Sequence, residues 1–596
     1  MSIFRNSSLP AALALLSAFA SAQQPPVQDS LPDSTFAMAA FGGLERCTGA
    51  VRDHATANLV QELLKLVPAE LRDSQLGSKL DEAAEGIREG LAQGSLSPTV
   101  IRNVLQRPMA IGMGRLTIRG MGPSLALVVD EGNAAADLDK LVDDVIASRA
   151  LPARLGKATA AGVECRTIEG EDMPTIYIAR EQGRWILTNS EGYLAEILAT
   201  CRGKQASLLQ GTSLGTSRAR LQGTPLVEVF ANSKPLLPML APMLPYEAAA
   251  IGEAIGIESV GGLYLAAAQA GDGTVETIDV QLPGSSGGLL KAALAGAADL
   301  DAAAFCSKDT IAFGALRLDI PAVTAAFDRL LLQLPREAAR EMRRDIARDF
   351  GRGFRDAGLS TEEVEKLLSA IDGTLSFGVT IGTGSLPIPD VVLLGKVRDE
   401  ATVTQWLDRL RTAVGNETGI PWKTRQHGDR TLHYCSVQAG GGDQGLSLSP
   451  TFVLADGYLV AGSQTRSVIA ALQQRETRDE SLLAEADFQA AMKQDRGAMG
   501  FLHLRPGRAI ETNWRLIETW VLPQIDAQED QLGFSSQDLP DPEVFGKGLG
   551  TMTLSATCDD AGLRLRMRGN VGFGGLCASF FAVVDEVLQR ASAKVY

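Results

Sequence analysis

Histidine, cysteine and aromatic residues are scarce in this chain, and their scarcity excludes several kinds of site. Among 596 residues there are 4 histidines, 7 cysteines and 5% aromatic residues. An odd number of cysteines cannot pair completely, and no CxxC spacing indicates a zinc ribbon or a thiol redox site. With so few aromatic residues, we expect close packing of small side chains rather than an aromatic-lined groove.

An excess of positive charge is also lacking. The chain carries 71 acidic and 56 basic residues, which gives a net charge of -15. Such a surface repels nucleic acid and anionic lipid headgroups, so we expect no nucleic-acid partner. No Asp-x-Asp-x-Asp-Gly calcium loop is present, and we expect neither a metal nor a cofactor.

Long hydrophobic runs are absent beyond the N terminus, so we expect no transmembrane helix in the mature protein. Residues 1–22 are typical of a secretory signal peptide. Arg5 precedes an apolar stretch from Leu9 to Ala20, and Ala20-Ser21-Ala22 has the small residues of a cleavage site. We expect a linker at residues 23–30 and a soluble protein exported to the periplasm or beyond. An uncleaved N-terminal anchor is the alternative.

The most informative positive feature is a repeat. A strand–turn–strand pattern at residues 174–190, followed by an apolar helix at 194–198, recurs at 450–463, followed by a helix at 468–472. The order of about a dozen elements agrees between the two copies, which is typical of an internal duplication.

Each copy closes with a hairpin, at residues 262–282 and 550–567. The Gly and Asp residues at their turns suit tight antiparallel connections. Hairpins separated by helices predict an α+β fold, in which each sheet is mostly antiparallel and helices pack on one face. We therefore expect two similar tandem domains, at residues 31–303 and 304–596.

A possible nucleophile lies in Gly284-Ser285-Ser286-Gly287-Gly288, which fits the G-x-S-x-G pattern of serine hydrolases. That motif belongs after a parallel strand, whereas the strand expected here closes an antiparallel hairpin. In the second copy Phe573 stands where Ser286 stands. We interpret the repeated glycines as a helix start. A catalytic Ser286 would need His427, His433 or His503 as its base.

A second glycine-rich pattern, at residues 440–445, matches G-x-G-x-x-G. A dinucleotide loop must precede a helix N-terminus, but a strand-like sequence follows here. We interpret the segment as a hairpin connection.

His427 and His433 lie near Cys435, which makes a zinc site conceivable. Their spacing fits no helical metal pair, so we expect surface or strand histidines. Cys435 and Cys165 occupy matching places in the two copies. We expect both to be small buried residues rather than partners in a bridge.

Two apolar segments could line a ligand groove, although helical apolar stripes more commonly form core. The first is rich in proline, leucine and methionine, and its counterpart spans Trp514 to Ile525. The candidate lining residues are Leu236, Leu237, Met239, Leu240, Met243, Leu244 and Trp520.

The residues from Leu31 to Thr35 and from Gly457 to Ser463, with the helix that follows, resemble a family of exported bacterial proteins of unknown function. That family is built from tandem α+β units, and the resemblance covers most of the mature chain. It implies a secreted or cell-envelope location and no established catalytic activity. The first copy departs from the pattern at Thr188-Asn189-Ser190.

These patterns predict a non-catalytic exported protein that acts by binding or as a cell-envelope component, with no catalytic residues. One alternative is a carrier of lipid or another apolar ligand. The sequence does not identify the partner of the protein, for which an envelope protein and an apolar small molecule are the candidates. A more remote alternative is a serine hydrolase that uses Ser286.

Overall fold

The fold is known from a computed structural model of the chain. The residues it describes are 26–52, 97–114, 123–147, 153–170, 173–234, 260–271, 273–282, 296–334, 361–381, 389–439, 446–529, 535–570 and 572–593, with isolated helical residues between 59 and 85 and between 336 and 344.

Within the described residues, the first half of the chain contributes ten strands to the sheet. They are β1 (Ala37–Phe41), β2 (Met109–Met113), β3 (Leu125–Asp130), β4 (Ala153–Ala160), β5 (Val163–Gly170), β6 (Met173–Glu181), β7 (Arg184–Thr188), β8 (Thr224–Asn232), β9 (Gly262–Ala270) and β10 (Gly273–Gln281).

The described part of the second half contributes ten more strands to that sheet and a separate short pair of strands. They are β11 (Ala312–Arg317), β12 (Ile371–Ile381), β13 (Pro389–Val397), β14 (Lys423–His427), β15 (Arg430–Tyr434), β16 (Val437–Ala439), β17 (Leu446–Leu448), β18 (Thr451–Ala455), β19 (Tyr458–Gly462), β20 (Gly500–Leu504), β21 (Met552–Asp559) and β22 (Gly562–Gly569).

All twenty strands of the large sheet pair antiparallel, and the sheet is continuous between the halves. In the first half the spatial order is β4-β5-β6-β7-β3-β2-β1-β8-β9-β10. In the second half it is β14-β15-β18-β19-β13-β12-β11-β20-β21-β22. The two series join where β10 pairs with β22, which we call the seam. The expected antiparallel α+β class is confirmed, with one sheet in place of two.

Helices connect the strands. Those of the first half are α1 (Leu44–Arg52), α2 (Pro98–Leu105), α3 (Ala135–Ala147), α4 (Glu191–Cys201), α5 (Leu208–Gly211) and α6 (Leu214–Ala219). Those of the second are α7 (Ile320–Gln333), α8 (Thr361–Ala370), α9 (Glu400–Thr418), α10 (Thr465–Glu476), α11 (Ala486–Gln494), α12 (Pro506–Leu516), α13 (Leu522–Asp526), α14 (Pro542–Leu549) and α15 (Phe573–Ala593). Short 3-10 helices span Val27–Ser30, Leu300–Phe305, Arg478–Glu480, Leu482–Ala484 and Ser536–Asp538, and a π-helical turn spans Ile517–Val521.

Local sequence explains the repeated hairpin. Gln182-Gly183 joins β6 to β7, and Asp456-Gly457 joins β18 to β19. All four residues have φ between 48° and 76°. Two successive residues with positive φ form the type I′ turn that matches the twist of a hairpin. A helix then follows each hairpin, as the repeat predicts.

One face of the sheet, which we call the closed face, carries the two largest cores. In the first half it includes Ala110, Val128 and Ile186, packed under Leu194 and Leu198 of α4. In the second it is formed by the side chains of Phe313, Val453, Val460, Val468, Leu472 and Phe488. Each core buries alternate residues of its strands, so the other side chains of the same strands lie on the opposite face.

That opposite face, which we call the open face, also carries helices, so the expectation of helices on one face alone is wrong. Leu138 and Val142 of α3 pack with Val129 and Trp185. In the second half the helical residues Leu367, Val403 and Leu407 pack with Phe452 and Leu454. The outer strands of each half bear apolar residues on both faces, so helices pack against both faces there.

Contacts cross the boundary expected at residues 303 and 304. Ala302 and Ala303 belong to the second core. Helix α15 packs on the first half, where Phe581 lies 4.4 Å from the ring of Phe41 and Asp585 pairs with Arg102 at 2.7 Å.

Within the stretch expected as a linker, residues 27–30 form a 3-10 helix in which Val27, Gln28 and Ser30 are buried. Within the described part of the chain, no helix is long and apolar enough to cross a membrane.

Candidate functional site

A row of exposed aliphatic side chains crosses the open face. Each member is between 36% and 55% exposed. The members, which we call the apolar row, are Leu125, Ile111, Val229, Leu263, Ile278, Leu565, Leu554, Leu316, Leu375 and Leu393.

Strand register places these residues on one face. Ile278 lies directly opposite Leu565 across the seam, and Leu316 lies opposite Leu375. The twelve adjacent strands from β3 to β13 contribute to the row, with Ala39 and Leu502 filling the places on β1 and β20. With about 4.8 Å between neighbouring strands, the row extends over roughly 50 Å.

The closed face behind the central part of the row is polar and buried. Asp279 is 1% exposed and pairs with Arg564 at 3.1 Å across the seam. Arg566 pairs with Asp495 of the second half at 3.0 Å. Gln281 donates to the carbonyl of Ser213 at 2.7 Å. The two strands of the seam, β10 and β22, which we call the central strands, therefore bury polar side chains and expose apolar ones.

A second polar cluster lies beside the seam on the same closed face. Glu228, 3% exposed, accepts hydrogen bonds from Tyr264 and Gln28, both at 2.7 Å, and lies 3.2 Å from Arg218. Burial raises the pKa of Glu228, against the lowering effect of the Arg218 charge. Both carboxylate oxygens of Glu228 thus have partners within the chain, and we interpret the cluster as structural.

An antiparallel sheet with one solvated face ordinarily buries its apolar side and exposes its polar side. The central strands have the reverse arrangement. A row of ten partly exposed aliphatic side chains on one sheet face is an apolar surface of the kind that marks sites of binding. The apolar row is therefore the candidate functional site.

The candidate lining residues from the sequence fall almost entirely outside the described residues. Leu236, Leu237, Met239, Leu240, Met243 and Leu244 lie in the undescribed stretch 235–259, and Ser286 lies in the undescribed stretch 283–295. Trp520 falls in the π-helical turn, but its side chain is not described.

The histidines proposed as bases occupy separate places. His503 is 1% exposed in the second core, beside the rings of Phe488 and Phe501. His433 stacks on Phe452, and its Nδ1 lies 2.7 Å from an Arg411 nitrogen. Burial and then the Arg411 charge lower the pKa of His433. His427 lies at the end of edge strand β14.

The cysteine prediction is confirmed. Cys165 and Cys435 are buried and form no disulfide. Burial raises the pKa of both thiols. Among the described residues, no group of three or more His, Cys, Asp or Glu side chains is placed to hold a metal ion.

The glycine-rich pattern at residues 440–445 connects β16 to β17, which pair antiparallel. A strand follows it where a dinucleotide site needs a helix, so its interpretation as a hairpin connection agrees with the flanking strands.

Sequence reasoning missed the apolar row. The alternation was visible in Thr277-Ile278-Asp279-Val280-Gln281 and in the arginines of β22. Alternation alone predicts polar side chains toward solvent, and only the pairing of β10 with β22 reveals that these polar side chains face each other in the interior.

No family model matches the chain, and no curated protein or solved structure matches it.

Proposed function

We propose that the chain is a non-catalytic exported binding protein that holds an apolar ligand, a lipid with acyl chains, on the apolar row. The observation that carries the proposal is the reversed polarity of the central strands, which bury Asp279 and Arg564 and expose Ile278 and Leu565. Burying an apolar side chain stabilises by about 25 cal/mol per Å² removed from water, so an acyl chain laid along the row would be held without directional contacts.

The composition of the row favours a lipid over a protein partner. Protein interfaces are enriched in aromatic residues, methionine and arginine at their centres. Every member of the row is leucine, isoleucine or valine. The net charge of -15 disfavours anionic headgroups, so the lipid class that fits is neutral or zwitterionic.

We also propose that the two halves arose by internal duplication. The support is the equal strand order on the two sides of the seam, together with matching contacts outside the strands. Leu208 donates its backbone N–H to Leu31 at 2.7 Å, and Leu482 donates to Cys306 at 2.8 Å. An isolated bridge links Pro32 to Ser207, and another links Ser307 to Ser481. Joining the two halves at the seam would extend one apolar row across both.

The exported location rests on residues 1–22, whose pattern is that of a secretory signal peptide. An exported carrier of acyl-chain lipids would meet such ligands at the cell envelope.

The proposal is tested by titrating delipidated protein into vesicles of fluorescent phosphatidylcholine and measuring lipid extraction. Ile278→Glu and Leu375→Glu place a carboxylate in the row, at side chains 40% and 54% exposed. We expect each to reduce extraction at least tenfold, because a charge in an apolar contact costs several kcal/mol. The matched control is Leu332→Glu, which alters an 82% exposed leucine on α7. Wild-type protein that extracts no lipid, or row variants that extract as well as the control, would contradict the proposal.

A further inference from the structure

A polar cavity in the first half lies away from the open face. Its volume is about 470 Å³, within the range of small-molecule sites. Its described lining is Asp33, Ser34, Gly211, Thr212, Ser213, Asn232, Lys234 and Gly261.

The corresponding place in the second half is filled. Backbone hydrogen bonds fix the correspondence: Asn232 donates its N–H to Phe36 at 2.7 Å, just as Arg505 donates to Ile311 at 2.8 Å. Both residues end or directly follow a strand, β8 or β20, that pairs with the first strand of its half. Arg505 therefore stands where Asn232 stands.

The Arg505 guanidinium is held from three sides. It donates to the carbonyl of Lys308 at 2.5 Å and to Glu485 at 2.9 Å, and its Nε lies 3.0 Å from Asp487. The residue is 7% exposed. The second half thus fills this place with a guanidinium of its own.

The first half has asparagine, not arginine, at this place. Asn232 is shorter than arginine and 6% exposed, and its Oδ1 accepts a hydrogen bond from the backbone of Lys234 at 3.2 Å. Among the described residues its Nδ2 has no hydrogen-bond partner. Asn232 lines the cavity, so its amide donor is available to an acceptor supplied from outside the chain.

Charges of both signs line the cavity. Asp33 accepts one hydrogen bond from Gln205 at 3.3 Å through Oδ1, which leaves Oδ2 available. Gly211 allows Asp33 to lie there, because a Cβ at that position would collide with the aspartate side chain. Lys234 supplies an ammonium group. A carboxylate, an ammonium group and an amide donor together match a zwitterion.

We propose that this cavity binds a small zwitterion with a cationic head of the guanidinium type, such as a free basic amino acid. The cationic head takes the place that Arg505 fills in the second half and pairs with Asp33, while the carboxylate of the ligand pairs with Lys234 and Asn232. The site is independent of the apolar row and does not depend on the lipid proposal.

The test is isothermal titration calorimetry with L-arginine as the probe and L-citrulline, its neutral isostere, as the matched ligand. We expect arginine to bind with one site per chain and citrulline to bind at least tenfold more weakly. Asp33→Asn should weaken arginine binding by a similar factor, with an unchanged circular dichroism spectrum as the check on folding. Absence of arginine binding to the wild type, or equal binding of the two ligands, would overturn the proposal.

A second variant separates cavity filling from misfolding. Ser213 follows Leu208 by five residues, as Asp487 follows Leu482, so Ser213 stands at the place of Asp487. The double substitution Asn232→Arg and Ser213→Asp therefore supplies the arginine and the aspartate of the second half. We expect it to abolish arginine binding while the melting temperature stays equal or rises. Retained arginine binding in this variant would place the ligand elsewhere and overturn the assignment.

Discussion

The two halves of the sheet use the same strand order but differ in the polar groups that they bury. In the second half Arg505 is enclosed by Glu485 and Asp487, whereas the first half has Asn232 and an open cavity in the same place. The backbone pairing is kept because it depends on register and turn geometry. The buried side chains at the strand ends can change without altering that pairing.

A second difference between the halves concerns the charged groups at the ends of β3 and β13. At the end of β3, Asp130 pairs with Arg107 and Arg184 at 2.7 and 3.0 Å. At the corresponding end of β13, Lys396 has the opposite charge, and both it and Tyr458 contact Asp299. The sign of the charge is exchanged between halves while the pairing is maintained.

The largest expected effect comes from the seam, which has no counterpart within either half. Asp279→Ala leaves Arg564 buried without its carboxylate, and we expect a loss of about 3–5 kcal/mol in the free energy of unfolding. Urea denaturation followed by circular dichroism measures it. The control is Asp559→Ala, whose carboxylate is 46% exposed beside Arg220, and it should cost less than about 1 kcal/mol. Equal losses for the two variants would show that the seam pair does not join the halves.

A smaller effect is expected from the position that distinguishes the two halves. Arg505→Ala leaves Glu485 and Asp487 without their cation and should cost about 3 kcal/mol, the lower end of the range for a buried pair, because both acids are partly exposed. Asn232→Ala removes one neutral hydrogen bond and should cost about 1 kcal/mol. The denaturation midpoints of the two variants, measured side by side, test this order. A larger loss of stability for Asn232→Ala than for Arg505→Ala would contradict the comparison.

The smallest effect is a pH dependence confined to the second half. Burial alone would raise the pKa of Asp487, but the His503 ring, whose Nε2 lies 3.6 Å from the carboxylate, and the charge of Arg505 outweigh it and lower the pKa to about 2. Because the folded pKa lies below the ordinary value of 3.8, the stabilisation is complete above that value and is lost as the pH falls toward 2. In the Asp487→Asn variant, the urea midpoint should decrease less than in the wild type as the pH falls from 3.8 to about 2. Ser213→Ala, at the corresponding place in the first half, should leave the fall unchanged.

Much of the local structure could be predicted from the sequence. The hairpins around Gly183 and Gly457 and the helices after them are fixed by turn residues and by the spacing of apolar side chains. Buried Cys165 and Cys435 followed from their matching places in strands. These features depend on residues close in sequence.

The seam and the candidate site could not be predicted in the same way. Contacts across the seam join residues as far as 295 positions apart, and no local pattern specifies which closing hairpin pairs with which. The alternation of polar and apolar residues around Ile278 is compatible with either face of the sheet being turned toward solvent. Only the partners of Asp279 and Arg564 decide between the two arrangements.

The central claim, that the apolar row holds a lipid, is tested most directly by native mass spectrometry of the protein purified from the envelope of its own host, with extraction of anything bound. The account predicts a mass above that of the polypeptide, a neutral or zwitterionic lipid in the extract, and loss of that added mass in the Ile278→Glu variant. A mass equal to the polypeptide alone, with nothing in the extract, would contradict it.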